Sequence, residues 1–408
     1  MDTSHTDLEV KPEKTIAADH TEPAVPQITD EFHSLSDIGW YGSAYQLGSA
    51  AFGPLSGNIF HHFNLKWAYL VFFAIFEIGS AICGVAQSSA MLIVGRVIAG
   101  VSSGAYTILS ATVPLERRPV PLLLLHIPDQ IQKSNPLKVV RGIHHHLDLI
   151  GFALLAPAIV QLLLALQFGG NQFSWSSSQV VGLFCGSGAT FIIWVFWNIH
   201  EGDKALLPFS IIKREEVWTS GFNYAFVMST VFGSTYFLPV YFQAVMGANA
   251  VMSGVYLLPI VLPQLLSAVV GGSLVTKIGY VPPFALVGGA LGCIGSGLFS
   301  LFQPNTSTGE WVGFLIIAGL GRGASLQMPL IAIQSAVTPE EMSPAMAFTV
   351  WCQHIGPTIF LTLYNTIFDT SLRSQIPKYA SNVDAQAVIA AGATRFRSLV
   401  SPQDLPGS

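Results

Sequence analysis

The chain has 408 residues, of which 51% are hydrophobic and 10% charged, with a mean hydropathy of +0.54. Water-soluble domains carry about 25% charged residues, so this composition excludes a soluble globular protein. The net charge of −5 is modest, and no nucleic-acid partner is expected.

The first 33 residues are polar and acidic, without the basic start and apolar core of a secretory signal. A helix needs roughly 20 apolar residues to cross the ~30 Å hydrocarbon layer. Such runs occur at 37–60, 66–87, 91–114, 147–168, 179–199, 217–241, 250–275, 281–303, 311–336 and 344–369, which predicts about ten transmembrane helices and an all-α integral membrane protein. Pro54, Pro259, Pro263 and Pro329 fall inside these runs. In lipid, with no water competing for the backbone, they are compatible with helix. Gly100 and Gly104 are expected to serve as helix-packing glycines. Each of the four cysteines, Cys83, Cys185, Cys293 and Cys352, lies within an apolar run at no zinc or disulfide spacing, so they are read as packing residues.

Basic residues gather at Lys66, between Arg117 and Arg141, at Lys204, Lys213 and Arg214, and at Lys277. The alternate connections "GGNQFSWSSS" and "QAVMGANA" carry no charge, so the basic loops are placed in the cytoplasm. Glu340 and Glu341 run against that rule, and so do Arg373 and Lys378 in the tail. Asn305 opens an outward-facing Asn-Thr-Ser sequon, the candidate N-glycosylation site. Three adjacent histidines, His144 to His146, do not share a helix face, so they are read as part of a solvated loop. No metal site and no cofactor are expected.

Several stretches resemble the major facilitator superfamily, and more narrowly the fourteen-helix drug:proton antiporters of fungi that export toxins and other secondary metabolites. "SLSDIGWYGSAYQL" is similar to the entry into that family's second helix, and "FEIGSAICG" to its third. "LIVGRVIAGVSSGA" resembles the fourth, with Arg96 followed four residues later by Gly100. "LDLIGFALLAPAIVQLLLALQFGG" is similar to the seventh helix. "FLPVYFQAVMGANAVMSGVYLLP" and "GFLIIAGLGRGASLQMPLIAIQ" match the carboxyl half. The resemblance implies a major facilitator fold, proton coupling, and a multi-pass protein of the plasma membrane or of a vacuolar or vesicle membrane. It also implies a loop latch, for which this chain offers Gly57 and Lys66 in one half and Gly272, Lys277 and Gly279 in the other. His61, His62 and Thr276 stand where acidic and basic latch residues are expected, which predicts a weaker latch.

The resemblance also has gaps. "KTIAADHTEPAVPQIT" is too broken to be the family's first helix, and after "VPLERRP" no fifth and sixth helices follow. No last helix follows "AGATRFRSLV". The expected fold is therefore an incomplete one. It comprises a polar tail with a first-helix remnant (1–35), a partial amino-terminal bundle (36–115), a basic loop (116–146), a linker helix pair (147–200), a cytoplasmic loop (201–216), a carboxyl-terminal bundle (217–369) and a polar tail (370–408).

Within the apolar runs, Arg96 is the residue most in need of explanation, since a guanidinium stays charged. About 7 Å inside its helix, it either snorkels to the headgroups or lines a transport cavity. The expected partner in the second reading is Glu77 on the preceding helix. Tyr45, Gln46, Gln243, Arg322, Gln327 and Gln353 complete the candidate substrate and proton pathway, with Tyr41, Tyr241, Gln264, Gln334 and His354 as further polar residues in apolar helices. Three functions are weighed: a proton-coupled exporter of a small apolar compound, a non-transporting remnant or binding protein, and a membrane enzyme. The enzyme reading is weakest, because no nucleophile motif, phosphate-binding loop or catalytic constellation is present. The expectation is the exporter, with weak or absent activity.

Overall fold

A computed structural model describes residues 38–63, 65–112, 147–170 and 173–379. The first-helix remnant, the basic loop with its three histidines and the end of the polar tail lie outside the described residues. Each of the ten expected runs is occupied by helix. The amino half comprises α1 (Ile38–His62), α2 (Leu65–Gly84) and α3 (Ser89–Thr112). A linker pair follows, α4 (Leu149–Phe168) and α5 (Ser178–Glu201), then a single short turn, α6 (Phe209–Ile212). The carboxyl half contains α7 (Glu215–Ala244), α8 (Ala250–Val255), α9 (Leu258–Ile278), α10 (Pro282–Leu298), α11 (Thr308–Leu326), α12 (Met328–Ala336) and α13 (Met342–Tyr379). Seven of these helical segments are long and apolar enough to cross a bilayer.

Two expected spans are broken where proline dictates. The run at 250–275 divides into α8 and α9 ahead of Pro259, and the run at 311–336 jogs at Gln327 ahead of Pro329. Proline lacks the donor for the helix ladder and restrains the residue before it. Several helix starts follow short polar side chains. Ser307 and Glu310 form a capping box on α11, and Ser177 and Asn249 cap α5 and α8. One boundary differs from expectation: α13 continues to Tyr379, well past 369, with Lys378 in its last turn, where a cation suits the helix C-terminus.

Packing is built on small residues. In the amino half α3 lies between α1 and α2. A Cβ on Gly100 would overlap the Tyr45 carbonyl of α1, and one on Gly79 would press into the Ala99 backbone of α3. Ser49 on α1 donates to the Gly100 carbonyl at 2.8 Å. The carboxyl half repeats the scheme, with α11 between α9 and α10. A Cβ on Gly319 would overlap the Ile260 carbonyl of α9, one on Gly295 would overlap Ala318 of α11, and Ser267 on α9 donates to the Leu320 carbonyl at 2.8 Å. Close backbone approach through small residues is how helices associate without a hydrophobic drive between them. The halves meet where α13 packs on α1, and the linker pair packs beside α1. One apolar core, including Phe60, Leu155, Leu207, Ile333 and Met346, runs through both halves and the linker pair. A second, around Phe242, Trp311 and Leu315, belongs to the carboxyl half alone. The outward faces of α2, α5 and α9 carry exposed Trp67, Ile192, Phe196, Leu266 and Val269, as a lipid-facing surface requires.

Candidate functional site

The most enclosed of the seven apolar segments is Thr308–Ala336, and Arg322 stands midway along it. Its side chain is 4% exposed. The sequence forces the guanidinium inward, because the neighbours Gly321 and Gly323 are pressed against α10 and α9 and leave one direction open. There Nη1 donates to the Ser234 hydroxyl of α7, and Nη2 reaches the Ser296 hydroxyl of α10 at 3.4 Å. The Phe299 ring lies beneath the guanidinium carbon, 5.8 Å from its centroid. Nε is buried without a partner. Among the described residues no carboxylate pairs with it.

A second cluster lies on the seam between the halves. Gln46 of α1 and His354 of α13, 5% and 6% exposed, share a hydrogen bond of 2.7 Å between Oε1 and Nδ1. As an amide oxygen only accepts, the histidine carries its proton on Nδ1 in this contact. That leaves His354 Nε2 buried and unpartnered, as is the neighbouring Gln353 Oε1. Buried polar atoms without partners are rare because each costs free energy, and here they gather where two bundles touch.

The remaining candidates are dispersed. Glu77 and Arg96 form no ion pair. Glu77 is exposed, and it lies two positions, about 200°, from Gly79, which faces α3. The predicted pair is therefore corrected: the carboxylate points away from the helix that carries the arginine. Gln243 donates to Ser253 at 2.9 Å and tethers α7 to α8, while Tyr241 donates to the Gln303 carbonyl at 2.9 Å. Gln327 sits at the jog between α11 and α12, and Tyr45, Gln264 and Gln334 are half-buried. Gly104 and Tyr41 lie in α3 and α1, outside the residues whose packing is described. Two expected latch glycines are helical rather than loop residues: Gly57 is packed in α1 against Ala347 of α13, and Gly272 lies within α9. Gly279 caps α9 in the left-handed conformation at φ 74°, and Lys277 is exposed beside it. Lys66 is half-buried at the start of α2, and Asn305 is exposed in the turn before α11.

Three residues escaped the sequence reading. Ser234 and Ser296 lie 88 and 26 residues from Arg322, and nothing local marks them. Asp148 is 6% exposed in the left-handed region and accepts from Gly151 N, Trp197 Nε1 and Leu206 N. Its place immediately before an apolar run was a capping signal. Outside the spans, Glu341 accepts from Arg214 in bidentate geometry at 2.6 and 2.9 Å. Burial works against its charge, but the Thr338 backbone and Arg214 outweigh that and hold its carboxyl below the usual value. This pair puts the loops before α7 and α13 on one face and accounts for an acid in a connection expected to be basic.

A bundle of membrane-length helices in two similarly packed halves, with buried charged and polar groups midway along them, defines a multi-pass membrane transporter of the alternating-bundle class. Residues 16–120 and 147–361 match the Major Facilitator Superfamily model, and the chain belongs to that family. It is 45% identical to the MFS-type transporter pigP of Monascus ruber, over 94% of this chain and 76% of that protein. It is 40% identical to the efflux pump mlcE of Penicillium citrinum, over 94% and 80%. The pigP alignment runs over 434 positions, more than the 408 residues of this chain, so pigP has residues opposite gaps here. Among solved structures, a bacterial homologue of the human lysosomal transporter Spinster superposes with a TM-score of 0.53 at 15% identity, covering 91% of this chain and 82% of that one. The proton:xylose symporter XylE does so with 0.50 at 14%, covering 92% and 90%. These two likenesses concern the fold.

Proposed function

We propose that the chain is a proton-coupled exporter of a small, largely apolar compound, such as a toxin, drug or secondary metabolite, acting at the plasma membrane. The observation that carries this reading is the Gln46–His354 contact. It lies on the seam where two bundles would rock, and it leaves buried polar atoms for a ligand or a proton to satisfy. The names of the relatives, among them efflux pump mlcE, support the direction of transport. Transport is expected to be weak or absent, because His61, His62 and Thr276 stand where charged latch residues are expected and the pigP alignment has residues opposite gaps in this chain. A second reading, a non-transporting membrane protein, is favoured by the same departures.

The test is reconstitution into liposomes with an imposed proton gradient and a panel of fluorescent amphipathic compounds that are anionic, neutral and cationic. Gradient-dependent movement abolished by an uncoupler is the expected result. Folded protein that moves none of them would leave the second reading standing.

A further inference from the structure

We propose that the substrate class is an organic anion, a carboxylate on an apolar body, held by Arg322. The inference rests on the transport reading for its physiological meaning but not for its test. A guanidinium in the middle of a membrane span is costly unless an anion or another polar group meets it. Arg322 is met by two serine hydroxyls and an aromatic face, all uncharged. The positive charge of this site is therefore uncompensated within the described protein, and an anionic ligand is what would complete it.

The geometry identifies the edge that receives it. Nη1 is engaged by Ser234, whereas Nε has no partner and Nη2 only the 3.4 Å contact to Ser296. Nε and Nη2 project on the same side of the guanidinium and together form a fork that matches the two oxygens of a carboxylate. Beside it stand Phe299 and, within electrostatic reach of the charge, Tyr364, whose ring packs edge-on against Phe237 at 6.2 Å. Aromatic walls around a convergent charged group suit an amphipathic acid. A cationic compound would meet repulsion at the same place.

Binding is measured on the full chain in lipid nanodiscs with 1-pyrenebutyrate, its methyl ester and 1-pyrenebutylamine, each corrected for partition into empty discs. The carboxylate is expected to bind at least about tenfold tighter than the ester, the scale of a charge-assisted hydrogen bond, with the amine weakest. Arg322→Gln should remove the preference and Arg322→Lys should keep part of it, so a folding failure in the first leaves the second to read. Ser296→Ala, which frees Nη2, should preserve or strengthen carboxylate binding. Equal binding of acid and ester, or a preference that persists in Arg322→Gln, overturns the assignment. Gradient-driven transport without acid preference would defeat this inference and leave the transport reading intact. Acid binding without transport would do the reverse.

Discussion

Asp148 offers the sharpest test of how the linker pair is held. Its Oδ1 accepts from Gly151 N at 2.9 Å and Trp197 Nε1 at 2.8 Å, while Oδ2 accepts from Leu206 N at 2.7 Å. One carboxylate thus joins the start of α4, the end of α5 and the connection beyond it. Asparagine tolerates the same left-handed backbone, φ 43° and ψ 57°, so Asp148→Asn isolates the side chain. Whichever way the amide turns, its NH₂ faces at least one buried donor. At minimum one charge-assisted bond is lost, worth ~1.5–3 kcal/mol, and one N–H is left unsatisfied, worth ~1–3 kcal/mol. We expect a net loss of about 3 kcal/mol, read as a melting temperature lower by roughly 3–4 °C for a chain of this length when unfolding in detergent is followed by tryptophan fluorescence. Asp203→Asn is the control, since that exposed carboxylate accepts only from Ser210 at 2.6 Å, and it should melt as the parent does. An Asp148→Asn protein indistinguishable from the parent would refute the idea that carboxylate charge, rather than mere polarity, fastens the linker pair.

Gly100→Leu places a side chain against the Tyr45 carbonyl. It should cost about 1–3 kcal/mol and lower the yield of monodisperse protein on size exclusion, whereas Gly297→Leu, which meets open space, should not. The lowered carboxyl pKa of Glu341 makes its pair with Arg214 a stabilising contact above the usual glutamate range, about pH 4.3, and one that fades as pH falls through the lower folded value. The pair is solvent-screened, so the difference between parent and Glu341→Gln should stay under about 1 kcal/mol at neutral pH and vanish on acidification in melting curves recorded from pH 7 to 3.

How much of this was legible follows from which interactions are local. All ten apolar runs are occupied by helix, seven of them in segments long and apolar enough to span a bilayer, because length and hydropathy are properties of consecutive residues. The prolines at 259 and 329 marked the two breaks for the same reason. The partners of Arg322 could not be found that way, since Ser234 and Ser296 look like any small residue in a membrane helix and acquire meaning only when α7 and α10 close on α11. Gly57 is the opposite case. Its local pattern is that of a loop glycine, whereas the fold places it within α1 against Ala347 of α13, a contact between the halves that no local signal announces.

The two arginines within the spans, Arg96 half-buried and Arg322 buried, show why the amino half resisted reading. In α3, Gly95 approaches Cys83 of α2 and the Val97 carbonyl approaches Gly48 of α1, with Arg96 between them. In α11, Gly321 approaches Gly292 of α10 and Gly323 approaches Gln264 of α9, with Arg322 between them. The two side chains therefore hold the same station in repeated halves. In the carboxyl half that station faces Ser234 on α7, the helix that opens the half. Adjacency in sequence points Arg96 to the nearest acid on the nearest helix, but Glu77 is exposed on the side of α2 away from α3, and a station repeated between halves is set by position in the fold and not by the nearest acid in the chain.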